Sequence, residues 1–303
     1  MSRPRTTPYC LPKTLLCAAQ AMLLATVALP ADAGASSSDE ISVNRLSQVP
    51  AVQRQSSFDF VVRELSVSIS APPTWGVGSL GLYEFEVAFD NRLSFVHASS
   101  SDGINISPWQ QMTEGGDPSS VQWMPTVRVR KGLPFSFEVG GDIGWHAGTA
   151  QMLVGGYGRL AFLDGWKRIP DAAIQLRYTG YVGNDQLELG VFEADLSVGY
   201  TFMAPGLASH PDMFFSPYAG YGYLMSHARP LAVTVSEVSA VSAWIGEDAE
   251  NSPVDPRMFR FNRLFAGIEV GGTSLQFRIS VDVTLVRNGP ATTGTHVGLA
   301  VRY

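Results

Sequence analysis

Nine carboxylates and eight guanidiniums recur in one phase of a series of alternating segments, and they are the side chains of this sequence best placed to do chemistry. The acids are Glu84, Glu86, Asp90, Glu138, Asp142, Glu193, Asp195, Glu269 and Asp282. The bases are Arg92, Arg128, Arg130, Arg159, Arg177, Arg263, Arg278 and Arg302. Each alternates with apolar residues at a two-residue period, so in a strand these charges share the face turned away from Phe, Val, Leu and Ile. The signs interleave between neighbouring segments: Arg128 and Arg130 fall between the segment of Glu84 and Glu86 and the segment of Glu138 and Asp142. Such a face, enclosed, either selects ions or neutralises itself as a salt-bridge network, and the near balance of sign favours the network.

Histidine offers a second chemistry. His97, His146, His227 and His296 fall towards the same end of four different segments, where an imidazole beside a carboxylate could activate water. Scattered over four strands they read as rim residues. After residue 33 there is no His-x-Glu, Cys-x-x-Cys, Gly-x-Ser-x-Gly or phosphate-loop pattern. No cofactor and no metal are expected, since a metal needs at least two of these imidazoles to converge. The stretch 228–258 carries Glu237, Glu247, Asp248, Glu250 and Asp255 around Trp244, without the dense oxygen spacing of a calcium loop.

The elements that must position these charges are strands. Leu80 to His97 sets Tyr83, Phe85, Val87, Phe89, Leu93 and Phe95 on one face. In the next, Val121, Trp123, Val127 and Val129 oppose Gln122, Thr126, Arg128 and Arg130; the turn Lys131-Gly132-Leu133-Pro134 leads into a third, where Phe135, Phe137, Val139, Ile143 and Trp145 oppose Ser136, Glu138, Asp142 and His146. The same reading covers about 152–162, 172–179, 187–202, 215–227, 259–270, 275–287 and 295–303, with the facing of the alternating Gly and Tyr in Phe215 to Met225 left open. The pattern predicts an all-β, antiparallel up-and-down barrel of ten strands, twelve being the alternative count.

The last strand carries Val297, Leu299, Val301 and Tyr303 on one face and His296, Gly298, Ala300 and Arg302 on the other. This ending resembles the C-terminal signature of bacterial outer-membrane β-barrels, which implies recognition by the barrel insertion machinery. The apolar outward faces suit a lipid surround, and outward aromatics gather at both ends: Phe135, Phe162, Phe202 and Tyr303 at one, Phe95, Trp123, Trp145 and Tyr178 at the other. If Tyr303 faces the periplasm, the long connections 98–120 and 228–258 lie outside, as this class expects. An even strand count then places the N-terminus in the periplasm, with Phe58 to Pro73 below the barrel or tucked into its lumen.

The N-terminus reads as a secretory leader. Arg3, Arg5 and Lys13 precede an apolar run from Thr14 to Leu29, then Ala31-Asp32-Ala33, an A-x-A cleavage pattern. Removing residues 1–33 takes away three basic residues, Asp32 and both cysteines, Cys10 and Cys17. That leaves 18 basic residues, 26 acidic residues and a net charge of about −8. Disulfide chemistry is then excluded and nucleic acid is not an expected partner. Residues 34–57, rich in serine, read as a disordered lead-in. From Phe58 to Ser70 the pattern is double: Phe58, Val61, Val62 and Leu65 are spaced like a helix, while Leu65, Val67 and Ile69 alternate like a strand, and Ala71-Pro72-Pro73 stops either. The organisation is thus a leader over 1–33, a lead-in and short periplasmic or luminal segment over 34–79, and a transmembrane barrel over 80–303.

The order of Arg63-Glu64-Leu65, Lys131-Gly132-Leu133-Pro134, Leu163-Asp164-Gly165, Ile169-Pro170-Asp171 and Pro217-Tyr218-Ala219-Gly220 resembles a set of outer-membrane β-barrel proteins of myxobacteria and relatives, over about residues 58–303. That resemblance implies fold and location in a Gram-negative envelope and carries no activity. The expected function is a narrow, porin-like pore or a structural envelope barrel with a charge-lined lumen. The expected partners are outer-membrane lipids, the insertion machinery and a small solute. The alternative is a hydrolase at the extracellular rim, as in the ten-stranded omptin proteases, whose motif is not matched here, or a surface-binding or adhesion protein. Ten strands with balanced charge predict a narrow or plugged lumen.

Overall fold

The structure, a computed structural model, describes residues 39–72, 75–98, 106–116, 118–165, 169–203, 213–231, 254–272, 274–286 and 289–303. The leader expected over 1–33 and most of the 228–258 connection lie outside these residues.

Two-residue alternation has the consequence it should. The strands are β1 (Phe85–Phe95), β2 (Val121–Gly132), β3 (Phe137–Trp145), β4 (Met152–Leu163), β5 (Asp171–Val182), β6 (Leu187–Gly199), β7 (Phe202–Met203), β8 (Phe214–Pro230), β9 (Arg257–Gly271), β10 (Leu275–Val286) and β11 (Thr292–Arg302). Ten of them form a closed antiparallel barrel in which each pairs with its chain neighbours, β11 returns to β1 and β6 joins β8; β7 is a two-residue extension on β8. The ring has two ends. The loop end carries the connections after β1, β3, β5, β8 and β10. The turn end carries those after β2, β4, β6 and β9, together with Tyr303.

β5 runs to Val182, β8 to Pro230 and β6 only to Gly199, each about three residues from expectation, and two further differences bear on the interior. β1 begins at Phe85 instead of Leu80, and Leu80 is buried inside the barrel on the segment that approaches it. The β2–β3 turn lies two residues later than Lys131 to Pro134: β2 continues through Gly132, and Phe135 and Ser136 turn the chain at φ 62° and 56°. That left-handed pair reverses the chain, so Phe135 is turn and not wall, 93% exposed. The open facing on β8 is settled as well, with Tyr221 and Tyr223 outward and Tyr218 and Leu224 inward.

The largest departure is the N-terminal segment. In place of a disordered lead-in, Val43–Gln48 forms a 3-10 helix and Ala51–Ile69 an α-helix, α1; a short second helix, α2 (Pro108–Met112), lies in the β1–β2 connection. Ser57, Phe58, Val61, Val62, Glu64, Leu65, Ser66, Val67, Ser68 and Ile69 of α1 are all buried, because its C-terminal half is surrounded by barrel wall. The helix enters from the loop end: Arg257, at the start of β9, reaches Asp59 (3.3 Å), and Ser42 and Asn44 contact Gln186 of the β5–β6 connection. Beyond Ser70, residues 71–72 and 75–80 lie inside the lumen without helical structure, and the chain reaches the turn end, where β1 begins. Parity located where the chain joins the wall, but the preceding segment doubles back through the barrel to the opposite end.

Candidate functional site

The barrel interior gathers the charges in one place. Eight wall carboxylates and seven wall guanidiniums are buried among the described residues, on the inward phase read from the sequence. The remaining pair, Glu84 and Arg302, sits at the turn-end mouth, 4.0 Å apart with side chains 44% and 22% exposed.

The charges form two layers. Nearer the turn end, Glu86 accepts from Arg130 (2.5 Å) and Arg278 (2.7 Å), Arg130 and Arg159 share Glu138 (3.3 and 2.9 Å), and Arg278 reaches Glu269 (3.6 Å). In the second layer Arg128 meets Asp90 (3.0 Å), Arg177 meets Asp142 (2.6 Å), Arg263 lies 2.9 Å from both Glu193 and Asp195, and Arg92 approaches Asp282 (3.8 Å). The cross-strand register places Glu86 opposite both Arg130 and Arg302, which produces the interleaving of signs.

The layers also hold the chain that passes between them. Arg159 donates to the carbonyls of Gly76 (3.1 Å), Val77 (2.5 Å) and Gly78 (3.2 Å). The backbone N–H groups of Ala71, Gly76, Ser79 and Leu80 donate to Glu193, Glu269, Asp164 and Glu138. Trp75, 1% exposed, stacks on Tyr157 at 5.2 Å, with the guanidiniums of Arg128 and Arg130 lying 4.5 and 5.1 Å from its ring centre. Gly76 leaves room for these carboxylate contacts: a Cβ there would stand 2.7 Å from Glu269 Oε2 and 2.9 Å from Ser216 Oγ, and both side chains would have to shift. Beside the second layer, next to Ile69 at the end of α1, a cavity of about 20 Å³ lined in part by Asp90, Arg92, Asp142 and Arg177 has room for about one water.

The four histidines occupy four separate environments. His97 Nδ1 donates to Glu64 of α1 (2.5 Å), whose carboxylate also accepts from the His97 N–H (3.0 Å) and Trp109 Nε1 (2.7 Å). His146, just beyond β3, is fully buried against Gln122 and Tyr181, and burial lowers its pKa to about 4, so it is neutral. His296 is not at the rim: it lies in the lumen, 2.8 Å from Asp282. His227 points outward on β8. No cluster of three or more metal-ligating side chains exists among the described residues. Of the terminal residues, Val297 and Tyr303 are outward at 39% and 60% exposure. Sequence reasoning missed Glu64, Trp75 and Trp109. The one signal for them was an acid inside the apolar run Phe60 to Leu65.

No protein-family model matches the chain, and no curated protein matches it. Among solved structures, it resembles the N-terminal barrel domain of OprF from Pseudomonas aeruginosa over 74% of this chain and 100% of that one, at 11% identity and a TM-score of 0.31. The attachment invasion locus protein Ail of Yersinia pestis matches over 74% and 100%, at 10% identity and 0.27. The transport unit of the Escherichia coli autotransporter AIDA-I matches over 82% and 99%, at 9% identity and 0.34. All three TM-scores lie below 0.5, and the barrel assignment rests on the register of this chain's own strands.

Proposed function

We propose that this chain is an integral outer-membrane protein, a structural envelope barrel sealed by its own N-terminal segment. The carrying observation is an inverted burial pattern. Among the described residues, the wall buries eight carboxylates and seven guanidiniums and exposes Phe95, Ile143, Met152, Leu176, Leu264, Phe277, Ile279 and Leu285 at 45–56%. A water-soluble barrel would do the reverse, whereas lipid accepts this surface and forbids unpaired strand edges, which closure removes. With Tyr303 in the periplasm, the loop end and the entry of α1 face outward from the cell.

Sealing follows from packing. Among the described residues, α1 occupies the loop-end half of the lumen and residues 71–72 and 75–80 lie within the rest, with a water-sized cavity beside them. Charges whose partners are one another and a peptide backbone offer a solute little to bind. A hydrolase at the rim has less support, because the histidines stand apart.

The test is single-channel recording after refolding into planar bilayers, with insertion scored first by the shift between heated and unheated gel bands. The intact protein inserts and stays silent. A chain lacking residues 39–80 inserts and conducts, and replacing Arg128 and Arg130 by Ser in that background turns the current cation-selective by stripping partners from Asp90, Glu86 and Glu138. A large steady conductance from the intact chain would overturn the sealed barrel. Failure to insert into any bilayer would overturn the membrane reading itself.

A further inference from the structure

On the membrane reading, outward side chains should be apolar wherever they meet hydrocarbon. At the loop ends of most strands they are: Phe95, Trp123, Met152, Val182 and Leu285 are exposed there. β8 and β9 depart from this. Their register pairs Met225 with Arg260 and His227 with Met258, so these four share the outward face, and Arg229 is the next outward residue on β8. His227, Arg229 and Arg260 are exposed. Neither arginine forms an ion pair or hydrogen bond among the described residues, and the nearest acid in register is Glu188, opposite Arg229 on β6.

Height along the strand decides what surrounds them. From the outward pair of Phe215 and Val270 at the turn end to the pair of Met225 and Arg260 is ten residues on each strand. At about 3.3 Å per residue and a tilt of about 40°, that is roughly 25 Å along the membrane normal, the height of the apolar band of such barrels. Arg260 therefore lies at the upper edge of the hydrocarbon, and His227 and Arg229 lie one and two outward positions beyond it. His227 is diagonal to Arg260 across the β8–β9 ladder and two residues from Arg229, so all three can reach one group. At that level the surrounding groups are lipid headgroups. A guanidinium at the edge of the hydrocarbon, without a carboxylate, is matched by phosphate oxygens, which it binds in a two-pronged manner.

We propose that His227, Arg229 and Arg260 form a binding site on the outward face of β8 and β9 for the phosphate of an outer-leaflet lipid. It rests on the membrane reading, and Glu188 tempers it at the Arg229 side. The rest of the barrel has no described counterpart at its loop end, so bound lipid is localised to this sector.

The test uses the full-length protein in vesicles of phosphatidylcholine alone or mixed with phosphatidylglycerol, then extraction and native mass spectrometry to count retained lipid. Phosphatidylglycerol is retained in preference to phosphatidylcholine. Arg260→Gln lowers that retention about fivefold and the Arg229→Gln, Arg260→Gln double variant about thirtyfold. Lys131→Gln, at the opposite end, leaves it unchanged. Equal retention of both lipids by the wild type, or no loss in the double variant, would overturn the site. Displacement of phosphatidylglycerol by millimolar inorganic phosphate would reduce it to a free-anion site and overturn the lipid assignment. Because every variant is first scored for insertion, a chain that inserts without lipid preference refutes this site alone, while a chain that never inserts refutes the membrane reading beneath it.

Discussion

The two halves of the barrel interior exclude water by opposite means. In the loop-end half, Phe58, Val61, Val62 and Leu65 of α1 pack with Trp109, Met112, Leu153, Val191 and Phe261 in one apolar cluster. In the turn-end half the apolar cluster shrinks to Val77, Ala161, Ala173, Tyr218 and Phe265, and charge takes over. The difference follows from the backbone that fills each half. A helix satisfies its own N–H and C=O groups, so the wall around it can be apolar. The non-helical chain over 71–72 and 75–80 makes no backbone hydrogen bonds within itself among the described residues, so its buried groups need partners from the wall. Arg159 serves three carbonyls, and Glu193, Glu269, Asp164 and Glu138 serve four N–H groups. The lining is charged where the chain inside it is not helical.

If that account holds, the halves should fail separately. Leu65→Asp places an unpaired charge in a fully buried apolar site, the largest effect expected here, at least about 4 kcal/mol. Protease should then cut α1 from the loop end in intact vesicles while the ten strands keep their heat-shifted gel band, and conductance should stay low because residues 75–80 remain in place. Cutting no faster than wild type would mean that apolar packing does not hold the plug. Arg159→Met attacks the other half. It strips three carbonyls of their donor and leaves Glu138 with Arg130 and the Leu80 N–H, a loss of about 3–5 kcal/mol typical of breaking a buried pair. Amide exchange should rise at Gly76 to Leu80 and not within α1. A uniform rise across both segments would show one cooperative unit in place of two regions.

What was legible in the sequence tracks the same division. The wall could be read because its period is 2 and a one-residue slip would exchange the faces, so Glu86, Arg128, Arg130 and Asp142 fell on the inward side without coordinates. α1 could not be read with the same certainty. A helix enclosed on nearly all sides loses its polar stripe, and Ser57, Ser66 and Ser68 are as buried as Leu65. Its serines even imitate a strand's alternation with Val67 and Ile69. The direction of threading was beyond pattern altogether, since parity fixes which end β1 starts from and says nothing of the chain before it. The backbone-serving role of the charges stayed hidden for that reason: inward phase revealed the wall's side chains, and the partner was main chain.

Glu64 is where α1 is fastened to the β1–β2 connection, and it offers the smallest and most discriminating change. Its carboxylate accepts three N–H donors: His97 Nδ1 on one oxygen, and the His97 backbone and Trp109 Nε1 on the other. Glutamine in the same place can keep the last two on its amide oxygen. Its NH₂ then faces His97 Nδ1, and the imidazole, half-exposed, can move its proton to Nε2 and accept at Nδ1. The cost of Glu64→Gln is the loss of charge assistance alone, about 1 kcal/mol. Glu64→Leu has no such escape and leaves the buried Trp109 indole N–H without an acceptor, about 1–3 kcal/mol beyond the glutamine variant. Hydrogen exchange at the His97 amide and at the Trp109 indole reads both. Little change for glutamine and a clear rise at both sites for leucine is expected; equal acceleration by the two variants would mean that the negative charge holds the fastening, and the hydrogen-bond geometry does not.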